Sequence, residues 1–263
     1  MSRREQHKKT RAPLALAFFC ALAVGGCAAT IVPPNDFEAK EIQTETFKLM
    51  TCQKITDSAA PVKIYIEGDG HAFYSDGMAT NNPSPRTDFM RKLAFGDASK
   101  NVVYLARPCQ FVADPICQQN DWTTARFSAR AVDSSAMAIK NVAGKRPVIL
   151  IGFSGGAQIA GLVTVLHPEI KVQKLITISG NLDHKAWTEN HNLPPLTESL
   201  NLADYKTEFA KIPQMHFIGA DDKVIPMEIT ENFINDPSKI TVIPNAGHGT
   251  GFENIFPTIW NEK

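Results

Sequence analysis

The sequence predicts an α/β fold in which a mostly parallel central sheet carries helices on both faces. From residue 41 onwards, short apolar runs rich in Val and Ile alternate with helix-length segments, which is typical of this architecture. The run PVILIGF at residues 147–153 is almost continuously apolar, as expected of a strand that is buried on both faces. With 263 residues, the chain is long enough for one such domain and too short for a large multidomain protein.

Seven strands are predicted from the apolar runs. The first is expected to open the sheet in antiparallel orientation, and the run at 147–153 is expected to lie at its centre. The predicted strands span residues 47–55, 62–67, 101–106, 147–153, 174–179, 215–219 and 240–243.

Helices are predicted between these strands. An apolar stripe at helical spacing covers residues 132–142. A second helix should begin just after Ser154 and end before Pro168, because proline removes a backbone donor and clashes with the preceding turn. Two shorter helices are predicted at 228–235 and 253–260.

Residues 181–211 interrupt this alternation. The segment is polar, contains Pro194 and Pro195, and is longer than a typical connection. We interpret it as a lid-like insert, with a surface decoration as the alternative.

The distribution of charge argues against nucleic-acid binding. The chain has 27 Lys and Arg residues and 27 Asp and Glu residues. Five of the basic residues and one of the acidic residues lie in the first 26 positions, so the rest of the chain has 22 basic and 26 acidic residues. The remaining chain is therefore mildly acidic. It lacks the basic surface that phosphate backbones require.

The first 26 residues are predicted to be a signal peptide. A basic start is followed by the apolar run PLALAFFCALAV, which has roughly a dozen residues, against the ~20 that a membrane-spanning helix needs. The residues Val24-Gly25-Gly26-Cys27 resemble the lipobox of bacterial lipoproteins. This resemblance implies cleavage after Gly26 and lipidation of Cys27. Ordinary signal cleavage that leaves Cys27 unmodified is the alternative.

Lipidation would attach the protein to a membrane. A diacylglycerol and a further acyl chain on Cys27 supply the two anchors that durable attachment needs. Residues 27–40 contain Pro33 and Pro34 and no periodic pattern, so we interpret them as a tether. Residues 41–263 would form the domain. No retention-type aspartate follows Cys27, so in a Gram-negative organism we expect the outer membrane, facing the periplasm.

Cysteine usage is consistent with export. Cys20 lies in the predicted signal and Cys27 is the predicted lipid site, which leaves Cys52, Cys109 and Cys117. A disulfide between Cys109 and Cys117 would close a short loop and contribute about 2 to 3 kcal/mol. Three free buried thiols are the alternative. No paired-cysteine metal spacing is present in the sequence, and no metal site is predicted.

The strongest chemical signal is Gly152-Phe153-Ser154-Gly155-Gly156, between the most apolar strand and a predicted helix. In this context Gly-x-Ser-x-Gly predicts a nucleophile elbow, where small neighbours let strand and helix close around an exposed hydroxyl. The helix dipole would favour negative charge at the same point. A glycine-rich turn needed only for packing is the alternative. Dinucleotide and phosphate-loop motifs are absent from the sequence.

A serine nucleophile needs a base and an acid that orients the base. His248 lies between two glycines after the last predicted strand, whereas His216 lies within a strand and is expected to be structural. Asp222 is the favoured acid, and its neighbour Asp221 is the competitor. A turn-forming aspartate that bonds its own backbone is the structural alternative for either.

At these residues the chain resembles the α/β-hydrolase fold superfamily. The resemblance is carried by the elbow, by IGADDKVIP at residues 218–226 and by NAGHG at 245–249, and it covers essentially the whole chain after the tether. It implies the order Ser154, Asp222 and His248 for the catalytic residues. The segments YIEGDG, LARPCQ, GFSGG and NLDHKAWT further resemble uncharacterised bacterial α/β-hydrolase lipoproteins.

The same resemblance implies where an oxyanion would bind. The backbone N–H of Gly155 supplies one donor, and the turn after the strand at 62–67 supplies the other, from Asp69 or, as second choice, Gly70. This turn has Glu67-Gly68 where the superfamily commonly has His-Gly. The carboxylates of Glu67 and Asp69 would oppose the negative charge that develops on the oxyanion unless they form ion pairs. Arginines 107 and 126 are the candidate partners for these ion pairs.

The lipoprotein resemblance also implies residues at the site entrance. Trp122, His184 and Trp187 would line it; alternatively, the two tryptophans pack the insert onto the domain.

The resulting hypothesis is a membrane-tethered serine hydrolase that acts outside the cytoplasm on a small-molecule or lipid-like ester or thioester and needs no cofactor. Two alternatives stay open: a catalytically silent scaffold with a binding or assembly role in the cell envelope, favoured by Glu67 and Asp69, and an acyltransferase with the same three residues. The sequence identifies no protein partner.

Overall fold

An eight-stranded sheet lies at the centre of the computed structural model, which describes residues 30–262. The strands are β1 (Glu38–Gln43), β2 (Lys48–Ile55), β3 (Val62–Ile66), β4 (Asn101–Leu105), β5 (Val148–Phe153), β6 (Val172–Ile178), β7 (Gln214–Gly219) and β8 (Ile240–Ile243).

The strand order confirms the predicted fold class. The strands are arranged β1-β2-β4-β3-β5-β6-β7-β8. Strand β2 pairs antiparallel with β1 and β4, and every other neighbouring pair is parallel. All six residues of β5 are buried, and this strand lies between β3 and β6. The antiparallel opening and the central position of 147–153 are both as predicted.

Helices cover both faces of the sheet. They are α1 (Phe89–Phe95), α2 (Ala129–Ala143), α3 (Gly155–Leu166), α4 (His184–Asn190), α5 (Lys206–Phe209), α6 (Met227–Ile234) and α7 (Phe256–Trp260), with short 3-10 helices at Gln119–Trp122, Leu202–Tyr205, Pro237–Lys239 and Glu253–Ile255. Ile139 of α2 and Leu162 of α3 pack on one face, and Leu93 of α1 and Ile259 of α7 pack on the other. Each large aliphatic side chain so buried contributes about 1.5–3 kcal/mol.

The amino-terminal part of the described chain differs from the prediction. Residues 38–40, assigned to the tether, begin β1, and Ile31 and Phe37 are buried against the domain. Strand β1 was not predicted because only Ile42 among its residues is buried, so the backbone bonds to β2, rather than apolar alternation, define this edge strand. The predicted signal peptide (1–26) and the lipid site Cys27 lie outside the described residues. Within residues 30–262, none of the helices combines the length and apolar character needed to cross a bilayer.

Residues 181–211 pack closely onto the domain. Leu182, Leu196, Leu202 and Phe209 all belong to the apolar core beneath α2 and α3. Within residues 181–211, Asn181 and the α4 residue Trp187 border the cleft described below.

The structure contains the predicted disulfide. Cys109 and Cys117 are joined, with their Cα atoms 5.8 Å apart, and close the loop that follows β4. Cys52 is free and buried. Burial raises the pKa of the Cys52 thiol to about 11, so this thiol is protonated and unreactive at neutral pH.

Candidate active site

Ser154 lies at a sharp turn between β5 and α3. Its backbone has φ 51° and ψ −123°, a conformation that costs a residue with a side chain about 1–3 kcal/mol. The turn closes because its neighbours are small: a Cβ at position 152 would lie 2.5 Å from Cα of Ala157, and one at position 156 would overlap the backbone of residues 66 and 67. The predicted strand–turn–helix context of Ser154 is therefore present.

His248 bridges Ser154 and Asp222. Its Nε2 lies 3.0 Å from Oγ of Ser154, and its Nδ1 lies 2.9 Å from Oδ2 of Asp222. The imidazole also packs on the ring of Phe153, with 4.9 Å between the centroids. Three side chains that are distant in sequence thus form one hydrogen-bonded chain, because the turns after β5, β7 and β8 meet at the carboxyl edge of the sheet.

Asp222, and not Asp221, contacts the histidine. The Asp222 side chain is fully buried, and its Oδ1 accepts hydrogen bonds from the N–H groups of Val224 and Ile225, at 2.8 and 2.9 Å. Burial by itself would raise the pKa of this carboxyl, but the bonds from His248 and Ile225 hold the pKa below its ordinary value. Asp222 is consequently ionised at neutral pH, whereas Asp221 is exposed to solvent.

The turn after β3 packs directly on the serine turn. A Cβ at position 68 would lie 3.3 Å from Cβ of Ser154, and one at position 155 would overlap the carboxylate of Asp69. Within residues 30–262, neither the N–H of Asp69 nor that of Gly155 donates a hydrogen bond. The two predicted oxyanion donors are therefore unengaged and lie on adjoining turns.

The two acids of this turn have partners. Asp69 receives Nη1 of Arg107 at 3.1 Å and Nη1 of Arg126 at 2.8 Å. Burial raises the pKa of Asp69, but the two arginines more than offset this and hold it below the ordinary value. The expectation that arginines 107 and 126 pair with an acid here is confirmed.

Glu67 is bonded to a different group. Its carboxyl accepts a hydrogen bond from the hydroxyl of Tyr104 at 2.8 Å and one from the N–H of Gly68 at 2.9 Å. Burial raises the pKa of Glu67, although these two bonds act in the opposite direction.

A cleft of about 640 Å³ opens above Ser154 and His248. Trp187 lines this cleft, as predicted, but Trp122 and His184 do not. The Trp122 indole donates to the backbone oxygen of Thr80 at 3.1 Å, outside the cleft. His184 is 2% exposed and stacks on Phe127 at 5.8 Å, because it begins α4 on the side facing the core.

One cleft residue was missed by sequence reasoning. Asn181 follows β6, lines the cleft and donates its backbone N–H to the backbone oxygen of Ser154 at 3.0 Å. Its position directly after a parallel strand, at the edge where ligands bind in α/β sheets, was the available signal. Among residues 30–262, no group of His, Cys, Asp and Glu side chains is arranged to hold a metal ion.

Comparisons with known proteins agree with this geometry. The family model described as serine hydrolase (FSH1) matches residues 114–249, just over half of the chain. This range contains the serine, aspartate and histidine of the hydrogen-bonded chain.

Solved structures show the same fold at low sequence identity. Est1E from Butyrivibrio proteoclasticus with ferulic acid bound matches with TM-score 0.61 and 14% identity, over 84% of this chain and 96% of that one. An α/β serine hydrolase from Xanthomonas campestris matches with TM-score 0.52 and 12% identity, over 88% of this chain and 93% of that one. The thioesterase domain of the curacin biosynthetic pathway matches with TM-score 0.55 and 12% identity, over 86% of this chain and 98% of that one. No curated protein sequence matches.

Proposed function

Because the chain belongs to the serine hydrolase (FSH1) family, we propose that it hydrolyses an ester or thioester through an acyl-enzyme on Ser154. The observation that carries this proposal is the hydrogen-bonded chain from Ser154 through His248 to Asp222. A hydroxyl attacks a carbonyl at neutral pH only when a base removes its proton. His248 can be that base, because its Nε2 lies within hydrogen-bond distance of Oγ of Ser154.

The proposed reaction has two stages. His248 takes the proton of Ser154 as Oγ bonds to the carbonyl carbon, and the carbonyl electron pair moves onto oxygen. His248 then protonates the leaving alcohol or thiol as the tetrahedral intermediate collapses to the acyl-enzyme. In the second stage, His248 takes a proton from a water molecule as the water oxygen bonds to the acyl carbon. His248 then returns the proton to Oγ of Ser154, which releases the carboxylic acid and restores the free serine.

The surroundings support both stages. Ionised Asp222 stabilises the imidazolium that forms when His248 takes the proton. The N–H groups of Gly155 and Asp69 would receive the oxyanion, assisted by the positive end of the α3 dipole. A thioesterase domain and a protein with ferulic acid bound are among the structures with this fold, which favours an ester or thioester substrate.

Labelling with a fluorophosphonate probe tests this proposal. The wild-type protein should be labelled on the peptide that contains Ser154, and Ser154→Ala should not be labelled. Ser75→Ala is the matched control, because Ser75 is an exposed serine that does not line the cleft. A folded wild-type protein that stays unlabelled would contradict the enzymatic proposal and favour a binding role.

We further propose that the protein acts outside the cytoplasm, held at a membrane by lipid on Cys27. The lipobox-like sequence supports the anchor, and the Cys109–Cys117 disulfide supports an oxidising compartment. Cys27→Ala should move the protein from the membrane fraction to the soluble fraction, whereas Cys20→Ala should not. Sedimentation of the Cys27→Ala variant with membranes would show that another anchor holds it.

A further inference from the structure

Arg126 presents an unused donor to the Ser154 cleft. The residue is 6% exposed, and its Nε donates to the backbone oxygen of Thr123 at 2.8 Å while Nη1 binds Asp69. Its Nη2 donates to no group within residues 30–262, yet Arg126 lines the same cleft as Ser154 and His248. A buried guanidinium with a free N–H pair beside a reaction centre is placed to bind a ligand.

Arg126 shares its ion-pair partner with a second arginine. Arg107 binds the same Asp69 carboxylate, so two buried guanidinium groups share one ion-pair partner in the described part of the chain. Glu67 also lines the cleft and bonds to Tyr104 and Gly68. Its charge acts on Arg107, but it forms an ion pair with neither arginine. Arg86 also lines the cleft, but it is exposed, so solvent screens its charge. A buried charge is costly unless it is paired, and an anion in the cleft would give Arg126 a partner that it does not share.

The guanidinium is held in position by aromatic rings. Its central carbon lies 5.6 Å from the Phe73 ring, 5.7 Å from the Trp187 ring and 5.9 Å from the Phe127 ring. These contacts, together with the bonds to Thr123 and Asp69, fix the side chain before a ligand arrives. Prior ordering lowers the entropic cost of binding.

Asn181 supplies a second unpaired polar group in the same cleft. It is 3% exposed, and its buried Oδ1 has no hydrogen-bond partner within residues 30–262. Its backbone is bonded to Ser154, so the amide keeps a fixed position relative to the nucleophile. Oδ1 is an acceptor and would not bind a carboxylate, so the group that can donate to a ligand is the amide nitrogen Nδ2, which also has no partner within residues 30–262.

We propose that the cleft selects esters or thioesters that carry a carboxylate, which Arg126 binds with the assistance of Asn181. The inference rests on the proposed hydrolase function and names its substrate class. A carboxylate fits better than a doubly charged phosphate, because the free donors are only one guanidinium nitrogen, Nη2 of Arg126, and one amide nitrogen, Nδ2 of Asn181.

Paired substrates test this selectivity. One pair places the carboxylate on the acyl side: p-nitrophenyl hemiglutarate and the p-nitrophenyl ester of glutaric monoamide. The other places it on the alcohol side: para-carboxyphenyl acetate and para-carbamoylphenyl acetate. In one of the pairs kcat/KM should be about tenfold or more higher for the acid than for its neutral amide, and the pair that shows the preference identifies the side.

The variants separate binding from positioning. Arg126→Gln also loosens Asp69, so rates on both members of a pair should fall, but a positioning role alone leaves their ratio unchanged. We expect the ratio to fall to about one in Arg126→Gln and to be partly retained in Arg126→Lys, which keeps the charge. Arg86→Gln is the matched control, and it should retain most of the preference because Arg86 is exposed.

Several outcomes would overturn the inference. These are equal rates on acid and amide in both pairs, an unchanged ratio in Arg126→Gln, or an equal loss of preference in Arg86→Gln. Probe labelling of Ser154 without hydrolysis of either acid-bearing ester would also overturn it while leaving the proposed function standing. Absence of both labelling and hydrolysis would instead count against the proposed function.

Discussion

Replacement of Ser154 with alanine is expected to lower kcat by about 10⁶-fold on any ester that the wild-type protein hydrolyses, because the covalent route disappears with the hydroxyl. A small residual rate should remain, since the N–H groups of Gly155 and Asp69 would still stabilise an oxyanion formed by attack of water. Steady-state kinetics with a p-nitrophenyl ester measures the loss. Ser75→Ala should keep the wild-type rate.

A second variant shows that the loss is chemical rather than structural. Ser154 adopts φ 51° and ψ −123°, which glycine reaches without the cost of about 1–3 kcal/mol that a Cβ imposes. Ser154→Gly should therefore be as inactive as Ser154→Ala and at least as resistant to urea as the wild type. Activity within tenfold of wild type in either folded variant would rule out Ser154 as the nucleophile.

Asp222→Asn is expected to lower kcat by about 10⁴-fold, because an amide cannot stabilise the imidazolium and favours the wrong tautomer of His248. The chain supplies its own control in the adjacent residue. Asp221→Asn makes the same chemical change at an exposed position, and we expect a rate within a few-fold of wild type. Kinetics of both variants with one ester gives the comparison.

The reverse pattern would change the assignment of the acid. A large loss in Asp221→Asn together with a small one in Asp222→Asn would mean that the turn after β7 rearranges when substrate binds. Small losses in both would mean that His248 does not need an acid partner.

The parts of the fold that were predictable are those encoded by local pattern. Strand β5 is apolar throughout because both of its faces are buried, and that alone predicted its central place. The elbow was predictable because only small residues fit around Ser154. The positions of Asp222 and His248 followed from superfamily resemblance, which distinguished Asp222 from its neighbour.

The parts that were not predictable depend on contacts between distant segments. Strand β1 is polar and is held by backbone bonds to β2, so it has no apolar signature. The positions of Trp122 and His184 are set by Thr80 and Phe127, which lie far away in sequence. Local composition cannot specify which of several polar residues lies at a cleft, so the only available signal for Asn181 was its position after β6.

The packing of the Asp69 carboxylate on Gly155 makes the two positions epistatic. A Cβ at 155 would overlap the Asp69 carboxylate, whose three atoms are the nearest to it, so we expect a side chain at 155 to be tolerated more readily once Asp69 is shortened. A series of single substitutions that enlarges residue 155 should consequently succeed more readily when position 69 is changed before position 155. A library that randomises the elbow alone should return glycine at 155, whereas one that randomises both positions should also return side chains there.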